Sequence, residues 1–142
     1  MPPSVAWLSL SHQMPLFPGT GEKSETGACN NIVNLPFPQG AFGLEVLEGW
    51  KNYLLPSVLD FKPNLIIISA GFDAHKTDPL GGLMMATEDF GTLTGLILEM
   101  ALRNADITGS LHIVSILEGG YNLSALADSV ASHLNTIESF DA

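Results

Sequence analysis

The chain has 142 residues, the size of one domain, and can bury roughly two thirds of its unfolded surface. With 46% hydrophobic and only 14% charged residues, it reads as a packed globular protein rather than a disordered one. Five basic against fifteen acidic residues give a formal charge of −10, which excludes phosphate-backbone binding through clustered Lys and Arg.

Most of that acidity serves solubility, with an acidic rim attracting cationic substrates as the sharper alternative. Cys29 is the only cysteine, so neither an internal disulfide nor a cysteine zinc cluster can form. The first ten residues carry no basic region, and no apolar run approaches the length of a membrane span. These features predict a soluble cytoplasmic protein.

In chain order, residues 5–10 read as a short strand and 11–31 as a loop broken by Pro15, Pro18, Gly19, Gly21 and Gly27. Ile32 to Leu35 is a second strand, ended by Pro36 and Pro38. Leu47, Trp50, Leu54 and Val58 recur at helical spacing between 42 and 61, and Pro56 should kink or split that helix. Leu65 to Ser69 is a buried strand. Thr87 is the expected N-cap of a second helix, with Glu88 and Asp89 in its first turn. Phe90, Leu93, Ile97 and Met100 or Ala101 form its expected stripe. Residues 111–117 are the last strand, and 123–139 a helix with Leu126, Val130, Leu134 and Ile137 on its apolar side.

Apolar strands alternating with helices predict an α/β fold with a parallel sheet covered on both faces. Ligand sites in such sheets lie beyond the carboxyl ends of the strands. Two loops leave strands there, 71–82 and Glu118-Gly-Gly-Tyr-Asn122, so both could line one site.

Chemistry concentrates in Ser69-Ala-Gly-Phe-Asp-Ala-His-Lys-Thr-Asp-Pro-Leu-Gly-Gly82. A carboxylate at the mouth of a buried strand needs a partner, and a metal ion is one. Asp78 is the leading ligand candidate, because Pro79 holds its backbone extended and the glycines turn the chain after it. An Asp capping a turn is the plain alternative. Asp73 and His75 form an Asp-x-His pair that could face one ion, against a reading as turn-bonding acid and partly exposed histidine. Tyr121 follows paired glycines and could donate to a developing oxyanion. His12 and Cys29 lack a recognisable nucleophile–base arrangement. His112 reads as a satisfied core residue and His133 as structural or solvent-facing. Phe17 could wall a substrate slot or pack in the core.

Together, Ser11-His-Gln-Met-Pro-Leu-Phe-Pro-Gly-Thr-Gly21, Ser69–Gly82 and Leu117-Glu-Gly-Gly-Tyr-Asn122 resemble three ordered segments of the histone deacetylase superfamily, especially its bacterial and class II-like members. The resemblance spans nearly the whole chain. It implies the C-terminal portion of an arginase/deacetylase-like three-layer fold, with residues 1–142 forming a partial domain. Asp78 then matches a zinc-binding aspartate and Tyr121 the tyrosine that polarises the acetyl carbonyl. Phe17, Leu80, Gly119 and Gly120 match the acyl-lysine channel, while Asp73 and His75 match no zinc ligand. The implied activity is zinc-dependent hydrolysis of the acetyl amide of acetyl-lysine or an acetylpolyamine.

The family's His-His acid/base pair and its other Asp-x-His ligand segment are not in this sequence. The isolated chain is therefore expected to be inactive, needing a missing N-terminal half or self-association. Leu10 stands where many relatives carry a serine near a monovalent-cation site, which puts that ion in doubt. A non-catalytic remnant acting as a binding or assembly module is the alternative. An arginase-like two-metal hydrolase is a third reading, disfavoured by the Gly-Gly-Tyr loop.

Overall fold

The computed structural model describes residues 7–13, 19–109 and 112–140. Strand β1 (Trp7–Gln13) pairs in parallel with β2 (Ile32–Phe37), from Trp7 opposite Ile32 to Gln13 opposite Phe37, with a register shift after Leu10. Both strands run past their expected ends. Pro36 does not terminate β2, because the proline lies in a strand that pairs on one side only among the described residues.

The expected 42–61 helix is three pieces. Helix α1 (Gly43–Gly49) begins where the Glu45 carboxylate accepts the Phe42 amide at 2.8 Å. A π-helical turn (Trp50–Leu54) follows, then α2 (Leu55–Phe61), with Pro56 in the first turn of α2. A proline is tolerated there because that amide has no intrahelical partner. The wide turn before it absorbs the break that a proline causes inside a regular helix. Lys62, at φ 57°, ends α2 in the left-handed conformation.

Strand β3 (Ile66–Ala70) pairs in parallel with β4 (Ile113–Leu117) through a crossover that contains α3 (Thr87–Thr108). The Asp89 carboxylate accepts the Ala86 amide at 2.7 Å, so the N-cap is Ala86 and Thr87 is the first helical residue. Asn104, deep in α3, donates to the Pro63 carbonyl at 2.7 Å and ties the helix to the turn before β3. The last helix is α4 (Leu123–Glu138).

One apolar cluster joins these elements. Val46, Leu54, Phe72, Met85, Phe90 and Met100 are buried in it, and Ile66, Ile68 and Ala70 pack against it from the helix-covered face of β3. Each buried side chain of this size contributes about 1.5–3 kcal/mol relative to an exposed one. Helix α4 turns Ala125, Ser129 and His133 inward, while Leu126 and Val130 only flank the cluster and Leu134 is exposed. The buried line is therefore one residue away from the expected one: its histidine finds polar partners there, whereas the Ser129 hydroxyl is buried without one. Thr94 donates its hydroxyl to the Phe90 carbonyl at 2.7 Å, so it accepts from His133 Nδ1, also at 2.7 Å. His133 Nε2 is then free to accept from the Ser115 hydroxyl at 3.0 Å. Burial pushes the His133 pKa down. His112, expected in the core, is exposed just ahead of β4.

Helices cover the β3–β4 pair on one face only. On the other face Ile67, Val114 and Ile116 remain 60%, 46% and 51% exposed, so the expected cover on both sides is absent among the described residues.

Candidate active site

Beyond the carboxyl ends of β3 and β4, the loops 71–82 and 118–122 lie side by side. Glu118 donates its amide to Ala70 O at 3.0 Å, Phe72 donates its own to Gly119 O at 2.8 Å, and the Ser69 hydroxyl donates to Glu118 Oε1 at 2.8 Å. The two loops that the sequence placed at one sheet edge do form one surface.

Asp78 is the joint between them. Its Oδ1 accepts the amides of Leu80 (2.9 Å) and Gly81 (3.1 Å) within its own loop. Its Oδ2 accepts those of Tyr121 (2.7 Å) and Asn122 (3.3 Å) from the other. Partial burial raises the Asp78 pKa, but these four amides outweigh it and hold the carboxyl below its usual range. A carboxylate offers about four lone-pair positions, and here the backbone takes them. That is the turn-capping alternative, extended across two loops, and it runs against the expectation that Asp78 faces a metal.

Asp73 has the opposite environment. Its carboxyl is half-buried between two glycines: a Cβ at Gly119 would lie 3.0 Å from Asp73 Cγ, and one at Gly71 would lie 3.1 Å from its Oδ1. Burial raises its pKa most, its own backbone amide opposes this, and the nearby Asp78 and Glu118 charges raise it further. A cation is the partner that this electrostatic environment calls for.

His75 is buried and serves as a brace. Its Nδ1 accepts the Thr77 amide at 3.2 Å and lies 2.9 Å from the Thr77 hydroxyl, which leaves Nε2–H to donate to Thr87 Oγ1 at 3.3 Å. Its ring also stacks on Phe90, with centroids 6.3 Å apart. Asn122 donates from Nδ2 to the Thr77 carbonyl (3.1 Å) and hydroxyl (3.2 Å), while its Oδ1 caps α4 by accepting the Ala125 amide at 3.2 Å. These roles of Thr77 and Asn122 lie beyond the residues expected from the sequence. An Asx cap directly after Gly-Gly-Tyr and before an apolar helix was the available signal for Asn122.

Tyr121 and Leu80 are exposed on this surface, and Gly120 adopts φ 136°, a conformation that a side chain would strain. Phe17 lies outside the described residues, as do the side chains of His12 and Leu10. Cys29 is exposed. Among the described residues, no group of three His, Cys, Asp or Glu side chains could hold a metal ion. These residues do not by themselves make a metal centre.

A parallel α/β fold with its polar loops at the carboxyl edge of the sheet defines the class, and solved structures share it. The crystal structure of the HDA15 HD domain superposes on 95% of this chain with a TM-score of 0.80 and 30% identity, the match covering 37% of that chain. An acetylpolyamine aminohydrolase from Burkholderia pseudomallei gives the same TM-score at 28% identity, with 95% of this chain and 38% of that one covered. The histone deacetylase domain family matches residues 2–137, and the chain belongs to that family. "Histone deacetylase 10, chloroplastic" of Oryza sativa subsp. japonica is 39% identical over 132 residues, which are 91% of this chain and 29% of the relative. The chain spans well under half the length of the curated relatives it matches. Among the described residues no helix is long and apolar enough to cross a membrane.

Proposed function

We propose that this chain is the C-terminal part of a zinc-dependent deacetylase domain, acting on the acetyl amide of acetyl-lysine or an acetylpolyamine. Family membership supports the reaction class. The observation that carries the site is the contrast between the two aspartates: Asp78 is spent on four amides, whereas Asp73 is half-buried among acidic neighbours. Asp73 rather than Asp78 is therefore the carboxylate that would contribute to holding zinc. Catalytic zinc sites use about three protein ligands, so the other ligands and the general base must come from polypeptide outside the described residues. Bound zinc would polarise the acetyl carbonyl.

In this reading Tyr121 is the group of this chain that acts on substrate. Hydrolysis adds water to the acyl carbon, passes through a tetrahedral oxyanion, and releases acetate and the amine. A phenol donating to that oxyanion stabilises it. Gly119 and Gly120 would border the acyl channel beside Tyr121, Gly119 by letting the Asp73 carboxyl approach and Gly120 by packing on Leu126, and the exposed Leu80 borders the same surface. Phe17 belongs to the channel in this reading.

The single cysteine supports a reducing, cytoplasmic setting. The open face at Ile67, Val114 and Ile116 favours a second reading, a non-catalytic assembly module that associates through that face.

Amine release from an acetyl-lysine peptide and from N-acetylputrescine tests both readings. The assay uses the chain alone and the chain mixed with the part of the rice relative that lies outside the match. Turnover only in the mixture, lost with a chelator and with Tyr121→Phe, supports the deacetylase. Turnover indifferent to both, or association without any turnover, sinks it.

A further inference from the structure

We infer that Asp78 is the positioning residue for Tyr121, clamping the tyrosine loop to the 71–82 loop through the backbone rather than through the phenol. This rests on the proposed role of Tyr121 for its functional meaning, while the clamp itself stands on geometry.

Tyr121 follows Gly119 and Gly120, whose backbones range more widely than those of other residues. Its side chain is 56% exposed, so packing does little to fix it. Two amides at the tyrosine itself, those of Tyr121 and Asn122, instead end on Asp78 Oδ2, 43 and 44 residues away in sequence. The other oxygen is anchored by Leu80 and Gly81, so the carboxylate cannot turn without releasing its own loop. Asn122 doubles the tie by bridging to Thr77 and capping α4, and Thr77 is held by the buried His75. The tyrosine backbone is thus referenced to the same loop that carries Asp73. One carboxylate sets the distance between the residue that would contribute to holding the metal and the residue that would meet the oxyanion.

The symmetry of the carboxylate makes the clamp specific. Four donors need two acceptor oxygens. Asparagine has one, so Asp78→Asn leaves one amide pair facing an NH2 group. Asp78→Glu keeps both oxygens but displaces them by a methylene.

The chain has two tyrosines, Tyr53 and Tyr121, so 3-fluorotyrosine labelling of the full chain gives two fluorine lines, assigned with Tyr121→Phe. In Asp78→Asn the Tyr121 line should shift and sharpen toward the free residue while the Tyr53 line stays. The Tyr121 and Asn122 amides should exchange at least about tenfold faster, as expected for losing a hydrogen bond to a charged acceptor, with β3 amides unchanged. Should the Asn variant not fold, Asp78→Glu must show the same selective change. An unmoved Tyr121 line in a folded variant, or both tyrosine lines moving together, overturns the clamp.

In any preparation with turnover, Asp78→Asn should lower kcat roughly a hundredfold with KM nearly constant, the cost of a misplaced catalytic group. An unchanged kcat would overturn the positioning role. Full turnover by Tyr121→Phe would instead refute the catalytic reading of Tyr121 and leave the fluorine result to decide the clamp.

Discussion

Gly81→Ala should break the site by crowding it from within. Gly81 passes against the Asp73 carbonyl so closely that an added Cβ would overlap the carbonyl oxygen and carbon, and would also lie 3.2 Å from the Ala74 amide nitrogen. All three atoms are backbone, so no rotamer change relieves the clash. The loop must open instead, which pulls the Gly81 amide from Asp78 Oδ1, now 3.1 Å away. Overpacking of this kind costs about 1–3 kcal/mol, and a hydrogen bond to a charged acceptor contributes about 1.5–3 kcal/mol, so the sum is about 3–5 kcal/mol. At roughly 2–4 °C per kcal/mol for a chain near this size, Tm should fall by about 6–20 °C.

Gly95→Ala is the internal control. It lies inside α3, where an added methyl would meet only Thr136 Cγ2 at 3.8 Å, so it should stabilise by about 0.5–1 kcal/mol through helix propensity. Urea unfolding of the two variants and the parent measures both values. A Gly81→Ala protein within about 0.5 kcal/mol of the parent, the range of an ordinary surface change, would refute the close-packed loop.

Three further outcomes follow from the same structure. Asp73→Asn should raise Tm at neutral pH without metal: the folded pKa lies above 3.8, so the stability tied to the protonated form is present below 3.8 and lost as pH rises through the folded value. With the polypeptide that supplies the other ligands present, zinc should raise Tm in the parent and not in this variant; an equal zinc response would return the ligand role to another residue. His133 is shifted the other way, below 6.5, so unfolding free energy should hold above that pH and decline as pH falls through the lowered folded value. In His133→Gln that decline should flatten, and a parallel curve would rule out His133 as its source. Ile67→Lys combined with Ile116→Lys should reduce self-association of the chain in sedimentation velocity, since both charges land on the open sheet face. Unchanged sedimentation would mean that this face is not used.

Periodicity showed the α/β alternation because α3 and the two strands around it carry strong, unbroken apolar patterns. The meeting of loops 71–82 and 118–122 also followed from the sequence, since parallel strands deliver successive loops to one edge. The different surroundings of Asp73 and Asp78 did not. Both acids sit in the same glycine-rich turn, and Pro79 made Asp78 look preorganised for an ion. What separates them is the direction of four amide N–H groups, two of them more than forty residues away, which no local pattern encodes. The buried line of α4 was hidden for a related reason. Its inward residues include Ser129 and His133, and His133 is acceptable there because α3 and β4 supply Thr94 and Ser115. The π turn ahead of Pro56 was legible only as a break.

The links between the two site loops also bear on the order of folding. Ser69 to Glu118, Phe72 to Gly119 and Asp78 to Tyr121 all bridge the full α3 crossover, and each presupposes that β4 has found β3. Closing so long a segment costs entropy before any of these bonds can form, and parallel pairing of this kind is intrinsically slow. The helices can form and collapse earlier on local contacts alone. The surface that would meet substrate is thus a late product of folding, and a compact intermediate with native helices would still be blind to its ligand.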